Sequence, residues 1–146
     1  MPISMTNEMM RSIIMDHASH PENKRAPKDE RKYQMVHMHS DNCIDDLNIY
    51  LLINDEGIVE DACFDGVACT ISLSSTDIMC DLMKGKSVIE ALYMIEQYNH
   101  MMHEEPFDDE VLDEAVVFIN TSKQAARIRC ATIGWTAANK ILKGEK

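Results

Sequence analysis

The hydrophobic pattern of the sequence changes twice, and these changes constrain the fold more than any other feature. Apolar side chains recur with helical spacing over residues 5–17, alternate with polar ones over 47–53, and return to helical spacing from residue 70 onward. The turn sequence DEG at 55–57 separates the alternating segment from a second apolar run at 58–64, which together predict a β-hairpin. A helix, then strands, then helices predict an α+β fold with helices on one face of a short antiparallel sheet.

Local signals add a strand and place several helix ends. Residues 35–39 are predicted to supply a third strand ahead of the hairpin. Pro21 ends the first helix, because the residue before a proline avoids helical geometry. Gly85 ends a helix, and Ser87 with Glu90 forms a capping box for the next one. Further helices are predicted over 108–119 and 131–143, and a single domain over 1–146.

Composition and net charge indicate what fills the core and which classes of partner are excluded. Aromatic residues make up 5% of the chain, so aliphatic side chains and the twelve methionines are expected to fill the core. A net charge of −11 argues against binding to nucleic acid or to an anionic membrane. The chain has no apolar run of the roughly 18 residues that a membrane span needs. Its first residues do not have the pattern of a signal peptide, so a cytoplasmic location is expected.

Three of the five cysteines lie where the side chains of a metal site could converge. In an extended segment, Cys43 and Asp45 point to the same side because they are two residues apart. Cys69 is predicted at the junction between the last strand and the next helix, and Cys130 just before the last helix. The positive end of a helix dipole favours a thiolate at such positions. An odd number of cysteines without signs of secretion favours thiols or ligands over disulfides.

Three thiolates and one carboxylate suit tetrahedral zinc, and they suit iron in a sulfide cluster as well. Spacing alone leaves unrelated or buried thiols as the alternative, since no Cys-x-x-Cys pair occurs. Arg127 and Arg129 precede Cys130 and would offset the excess negative charge of such a site. Cys63 lies within a predicted strand and Cys80 within a helix, and both are expected to be packed as small apolar side chains.

The histidines offer a rival metal site. They form pairs spaced two or three residues apart, and hydrogen-bonded or exposed histidine is the favoured alternative for each pair: His17 and His20, His37 and His39, His100 and His103. Nucleotide binding and serine hydrolysis have no support, because no glycine-rich phosphate loop and no GxSxG motif occurs.

Five segments, in order, resemble motifs of the NifU/IscU-like iron–sulfur cluster assembly family. SDNCIDD resembles its N-P-x-C-G-D motif, and RIRCATIGW its R-x-K-C-A-T-L-x-W segment. The other three are MRSIIMDHASHPEN, FDGVACTISLSSTDIM and DLMKGKSVIEAL. The resemblance spans nearly the whole chain and implies a short antiparallel sheet with packed helices. It also implies that the metal ligands are Cys43, Asp45, Cys69 and Cys130.

Two features resemble the SufU type within this family. Isc-type members have a histidine immediately before the third cysteine, where this chain has Arg129. A guanidinium has no lone pair to offer a metal. The long interval between Cys69 and Cys130 resembles the insertion of the SufU type, which would occupy residues 99–120.

The chain departs from the family pattern beside its ligands. Asn42 replaces a proline, and Ile44 and Ala68 replace glycines that give the backbone freedom near the metal. The ligand loops are therefore predicted to differ in geometry from those of the family.

The resemblance implies a zinc-dependent sulfur acceptor that takes persulfide sulfur from a cysteine desulfurase. Cys43 would accept the sulfur by thiol exchange, and Zn²⁺ would be held by the four ligands. The implied partners are a SufS-like desulfurase and other Suf assembly proteins. One alternative is a scaffold on which a [2Fe–2S] cluster is built and transferred. A second is a structural zinc domain that serves as an adaptor.

Overall fold

The structure is a computed structural model that describes residues 5–41 and 44–144. In this part of the chain, one α-helix and a short 3₁₀ helix (Glu30–Lys32) precede three strands, and four α-helices follow them, with a second 3₁₀-helical segment before the last. The elements are α1 (Asn7–Ser19), β1 (Gln34–His39), β2 (Asp46–Ile53), β3 (Val59–Val67), α2 (Thr70–Met83), α3 (Val88–Met102), α4 (Asp109–Leu112), the 3₁₀ segment (Asp113–Lys123) and α5 (Ala125–Leu142).

The three strands form an antiparallel sheet in the order β1-β2-β3. Ile49 of β2 is opposite Val36 on one side and opposite Phe64 on the other. The predicted hairpin and the predicted third strand are both confirmed. The turn between β2 and β3 needs Gly57, whose φ of +76° lies in the left-handed region that other residues rarely adopt.

Helices cover one face of this sheet, as predicted. Side chains alternate between the faces of a strand, so Ile49, Ala62 and Phe64 share the face that joins the helical core. Helix α5 contacts β1 and β2, while α2 contacts β3 and α5. Methionines fill much of this core, as expected: Met79, Met83, Met94, Met101 and Met102 are buried.

Several helix ends follow the local signals. The Thr6 hydroxyl accepts a hydrogen bond from the Met9 N–H at 3.1 Å and caps α1, and His20 is the C-cap before Pro21. Ser87 and Glu90 form the complete capping box of α3. Within the described residues, no helix combines the length and apolar character needed to cross a membrane.

Two helical predictions differ from the structure. Helix α5 begins at Ala125, six residues before the predicted start, because the segment AARIR consists mainly of strong helix formers. Cys130 therefore lies inside α5 and not in front of it. The helix predicted over 108–119 is α-helical only over Asp109–Leu112. The segment that follows is rich in β-branched side chains, which fit an α-helix less well, and it is 3₁₀-helical.

Candidate metal centre

Asp45, Cys69 and Cys130 converge, although they come from three separate parts of the chain. One ligand atom from each lies within 4.8 Å of the other two. Asp45 immediately precedes β2, Cys69 is the N-cap of α2, and Cys130 is in the second turn of α5. Cys43, the fourth predicted ligand, lies outside the described residues, and so does Asn42.

The Asp45 carboxylate is buried, with 2% of the residue exposed, and both of its oxygens accept hydrogen bonds. The backbone N–H of Cys69 donates to Oδ1 at 2.8 Å, and the Ser72 hydroxyl donates to Oδ2. Buried carboxylates need such partners, because they have given up their hydration. Each oxygen has a second lone pair, so these bonds leave acceptor capacity for a cation.

Gly66 places the end of β3 close to the segment that contains Asp45. Its φ is +116°, and a Cβ at this position would lie 2.1 Å from the Asp46 carbonyl oxygen. A side chain here would clash with the backbone and force β2 away from β3. Glycine is therefore required for the approach that brings Asp45 to the start of α2.

The Cys69 side chain is half-buried at the N-terminus of α2. This agrees with the predicted junction between the last strand and the next helix. Its Sγ lies 3.5 Å from the Ser72 hydroxyl oxygen, one turn along the helix. Cys130 is 6% exposed and lies in the second turn of α5, not in front of the helix as predicted.

Close packing of α2 against α5 brings Cys130 towards Cys69. At Gly134, a Cβ would lie 2.5 Å from the Thr76 hydroxyl oxygen, so this crossing requires glycine. The Ser75 hydroxyl donates to the Ala131 carbonyl oxygen at 2.6 Å, which ties the two helices together beside Cys130.

An aromatic pair, Tyr98 of α3 and Trp135 of α5, also supports the packing of α2 against α5. The rings of Tyr98 and Trp135 are stacked 3.8 Å apart. The Tyr98 hydroxyl donates to the Ala131 carbonyl at 2.7 Å, and the Trp135 ring N–H donates to Ser75 at 2.9 Å. Burial raises the pKa of Tyr98 well above its ordinary value, so this hydroxyl stays protonated as a donor. The backbone around Cys130 is thus held by buried hydrogen bonds from two helices.

Ser72 was not singled out by the sequence reasoning, although it bonds to Asp45. A signal was available: Ser72 and Ser75 are three residues apart in the helix that follows Cys69, and so share one face. Polar residues on the buried face of a helix need partners inside the protein.

Arg127 and Arg129 are exposed. Arg129 lines a cavity of about 240 Å³ between β1 and α5, together with Met38, His39, Thr132, Ile133 and Thr136. That these two arginines offset the charge of a metal site stays a prediction.

Cys63 and Cys80 are both fully buried, as expected for packed thiols. Burial raises the pKa of Cys63 to about 11 and the pKa of Cys80 well above its ordinary value. Both are therefore protonated at neutral pH and unreactive as nucleophiles.

His17 belongs to a second polar group, here called the histidine cluster (His17, Asn23, Asp77 and Glu114). Its Nδ1 lies 2.6 Å from Asp77 Oδ2, and its Nε2 lies 2.6 Å from Glu114 Oε1. Burial disfavours the charged ring, but the hydrogen bond to Asp77 and the charge of Glu114 outweigh it and raise the pKa of His17. Two ionised carboxylates can only accept, so this geometry calls for an imidazolium that donates from both nitrogens.

Asp81 lies beside the histidine cluster. One ligand atom each from His17, Asp77 and Asp81 lies within 4.8 Å of the other two, close enough to share a cation. The Asn23 side-chain amide donates to Asp77 at 3.0 Å and to Asp81 at 2.9 Å, so hydrogen bonds already link these groups. Another of the predicted histidine pairs also has a carboxylate partner, since His37 Nε2 lies 2.6 Å from Asp46 Oδ1.

The donor set of Asp45, Cys69 and Cys130 fits zinc. Two sulfurs and one carboxylate oxygen are donors that zinc accepts in tetrahedral sites, and they leave one position for a further ligand. Cys43, two residues before Asp45 in the sequence, is the predicted fourth ligand.

Comparison with known proteins gives the same family from sequence and from structure. The family model of the NifU-like N-terminal domain matches residues 9–133. The zinc-dependent sulfurtransferase SufU of Bacillus subtilis is 36% identical over 139 residues, which cover 94% of this chain and 92% of that protein. The iron–sulfur cluster assembly scaffold protein IscU of Streptococcus pyogenes is 30% identical over 145 residues, with 98% and 88% covered.

The fold is shared with solved structures of this group. A crystal structure of SufU from Fervidobacterium islandicum AW-1 superposes with a TM-score of 0.79 and 26% identity, covering 91% of this chain and 93% of that one. The segment that the family model matches, residues 9–133, contains all four predicted ligands. The chain therefore belongs to the NifU-like N-terminal domain family of iron–sulfur cluster assembly proteins.

Proposed function

We propose that the protein is a zinc-dependent sulfur acceptor, which takes persulfide sulfur from a cysteine desulfurase during iron–sulfur cluster assembly. The convergence of Asp45, Cys69 and Cys130 within 4.8 Å carries this proposal. The similarity to SufU of Bacillus subtilis over 94% of the chain supports it. The free, unreactive thiols of Cys63 and Cys80 are compatible with work in a reducing compartment, the cytoplasm.

Cys43 is the proposed sulfur acceptor, and Asp45, Cys69 and Cys130 are the ligands that stay in place. Asp45 and Cys130 are buried in well-bonded surroundings, which suits a role as anchors. When bound, zinc would favour the thiolate form of its cysteine ligands and so lower the pH at which they react.

The transfer is a thiol exchange. The Cys43 thiolate attacks the outer sulfur of the partner's persulfide, and a new S–S bond forms on Cys43. The S–S bond in the partner breaks, and its electron pair leaves with the partner's cysteine as a thiolate. The proton of the persulfide stays on the transferred sulfur, so no external oxidant or reductant is needed.

Arg129 favours this function over a cluster scaffold. It occupies the position immediately before Cys130, and its guanidinium has no lone pair to donate to iron. The scaffold function is nevertheless a second candidate, because IscU of Streptococcus pyogenes aligns with 98% of the chain. Cys43, Cys69 and Cys130 would then hold iron with sulfide, with Asp45 as the fourth ligand.

The deciding experiment combines metal analysis with a desulfurase assay. Protein purified without chelator is expected to contain zinc, to accelerate a SufS-like desulfurase and to gain the mass of one sulfur atom. Cys43→Ala should abolish the sulfur gain while keeping the fold, and Cys63→Ala, which removes a buried thiol, should retain it. Full transfer by Cys43→Ala would overturn the assignment.

Reconstitution with iron and sulfide under anaerobic conditions separates the alternatives. A stable visible chromophore that can be passed to an acceptor protein would support the scaffold. Zinc that is needed for folding, without any stimulation of the desulfurase, would instead indicate an adaptor.

A further inference from the structure

Ser72 contacts all three residues of the candidate metal centre. Its hydroxyl donates to Asp45 Oδ2, lies 3.0 Å from the Cys130 carbonyl oxygen, and lies 3.5 Å from Cys69 Sγ. The side chain is fully buried in the first turn of α2. A side chain in this place can influence each ligand without being one.

The hydroxyl has a single proton, and the chemistry of its neighbours decides where the proton goes. A hydrogen bond to an ionised carboxylate is roughly twice as strong as one to a neutral acceptor. Asp45 therefore takes the proton in preference to the Cys130 carbonyl. The other oxygen of Asp45 is held by the backbone N–H of Cys69, so the carboxylate is fixed at both oxygens.

We propose that Ser72 is a positioning residue that orients the Asp45 carboxylate towards the metal. The inference rests on the proposed function, because it requires Asp45 to be a ligand. A carboxylate that is already oriented loses little rotational freedom when the metal binds, so the affinity is higher than for a freely rotating one.

Neighbouring serines of α2 show that the contact is specific to one position. Ser74 is equally buried, but its hydroxyl donates within the helix, to the Thr70 carbonyl at 2.8 Å. Ser75 donates to the Ala131 carbonyl of α5. Of these three buried serines, only Ser72 bonds to Asp45. Ser74→Ala is therefore a matched control, with the same substitution, helix and burial but no contact with the site.

The test measures zinc affinity by competition with a chromophoric chelator. Ser72→Ala is expected to bind zinc roughly 10- to 100-fold more weakly than the wild type, the usual range for loss of a hydrogen bond to a ligand. Ser74→Ala should bind as the wild type does. Cobalt(II) in place of zinc adds a spectroscopic readout: the visible bands should shift in Ser72→Ala and stay unchanged in Ser74→Ala, because only the former disturbs a ligand.

A double-mutant cycle separates positioning from packing. In an Asp45→Ala background, Ser72→Ala should cause no further loss of zinc affinity, since the carboxylate it orients is gone. Equal losses in both backgrounds would overturn the proposal, and so would wild-type affinity in Ser72→Ala. If Ser72→Ala fails to fold, Ser72→Thr is compared with Ser72→Val. Threonine and valine have nearly the same shape, and only threonine has the hydroxyl.

The outcome for the wild type keeps the two proposals distinct. A wild-type protein that binds no zinc overturns the proposed function, and the role of Ser72 with it. A wild type that binds zinc, with a Ser72→Ala variant of equal affinity and unchanged cobalt spectrum, overturns only the positioning role.

Discussion

Helix α2 contributes to two polar groups, each built around a buried aspartate, that differ in how their charge is balanced. The histidine cluster contains its own cation, because the imidazolium of His17 lies between Asp77 and Glu114. The candidate metal centre holds a buried carboxylate and two thiols, and Asp45 has no ion pair within the described residues. The imidazolium offsets one of the two carboxylate charges and donates to both carboxylates, which suits this group to stabilising the fold. A centre without a cation of its own is suited to binding one.

This difference predicts that changes in the histidine cluster affect stability, and that changes in the metal centre affect metal binding.

Asp77→Ala should destabilise the protein by about 3 kcal/mol, because it leaves His17 and the Asn23 backbone N–H without a buried partner. Urea unfolding of the metal-free protein measures the effect. Asp81→Ala is the control: Asp81 is exposed, one turn along α2, and bonds to the same asparagine. Equal destabilisation by the two variants would show that the cluster does not depend on its buried carboxylate.

Cys69→Ala should weaken zinc binding by more than about 100-fold, since loss of a ligand costs more than loss of a hydrogen bond to one. The unfolding free energy of the metal-free protein should change little, because this side chain is only half-buried. Chelator competition and urea unfolding, applied to the same samples, check both statements. Cys80→Ala should lower the unfolding free energy and leave zinc affinity unchanged, because its thiol is fully buried in the core away from the centre. Unchanged zinc affinity in Cys69→Ala would remove Cys69 from the ligand set.

The smallest effect concerns pH. The folded-state pKa of His17 is raised, so its contribution to stability is complete below the unfolded value near 6.5 and is lost as the pH rises through the folded value. The unfolding free energy of metal-free protein should therefore fall over this range. The fall should be smaller in His17→Gln, which cannot become charged. A fall of the same size in His17→Gln would assign it to another group.

Local signals predicted the elements well. Alternation over residues 47–53 and the capping box of Ser87 and Glu90 depend only on neighbours a few positions away, and the structure contains both the strand and the cap. The predicted start of the last helix, residue 131, lies six residues after the observed start of α5 at Ala125. The helix propensity of AARIR governs the outcome, and Cys130 therefore lies in the second turn.

The partners of the buried polar groups were less predictable. Ser72 and His17 bond to residues 27 and 60 positions away, to Asp45 and to Asp77 respectively. Such contacts depend on how whole elements pack, and no local pattern encodes the distance between them. The close packing of α2 against α5, where Gly134 lies beside Thr76, likewise depends on tertiary structure and not on a local pattern.

By itself, the sequence determined the order of helices and strands, the fold class and the types of donor available, because periodicity, capping and ligand chemistry are properties of short segments. Only the tertiary structure decided that Asp45, Cys69 and Cys130 lie within 4.8 Å of one another and that Ser72 bonds to the carboxylate. The physical reason is packing: the close crossing of α2 and α5 and the approach of β3 at Gly66 bring together residues that the chain keeps far apart.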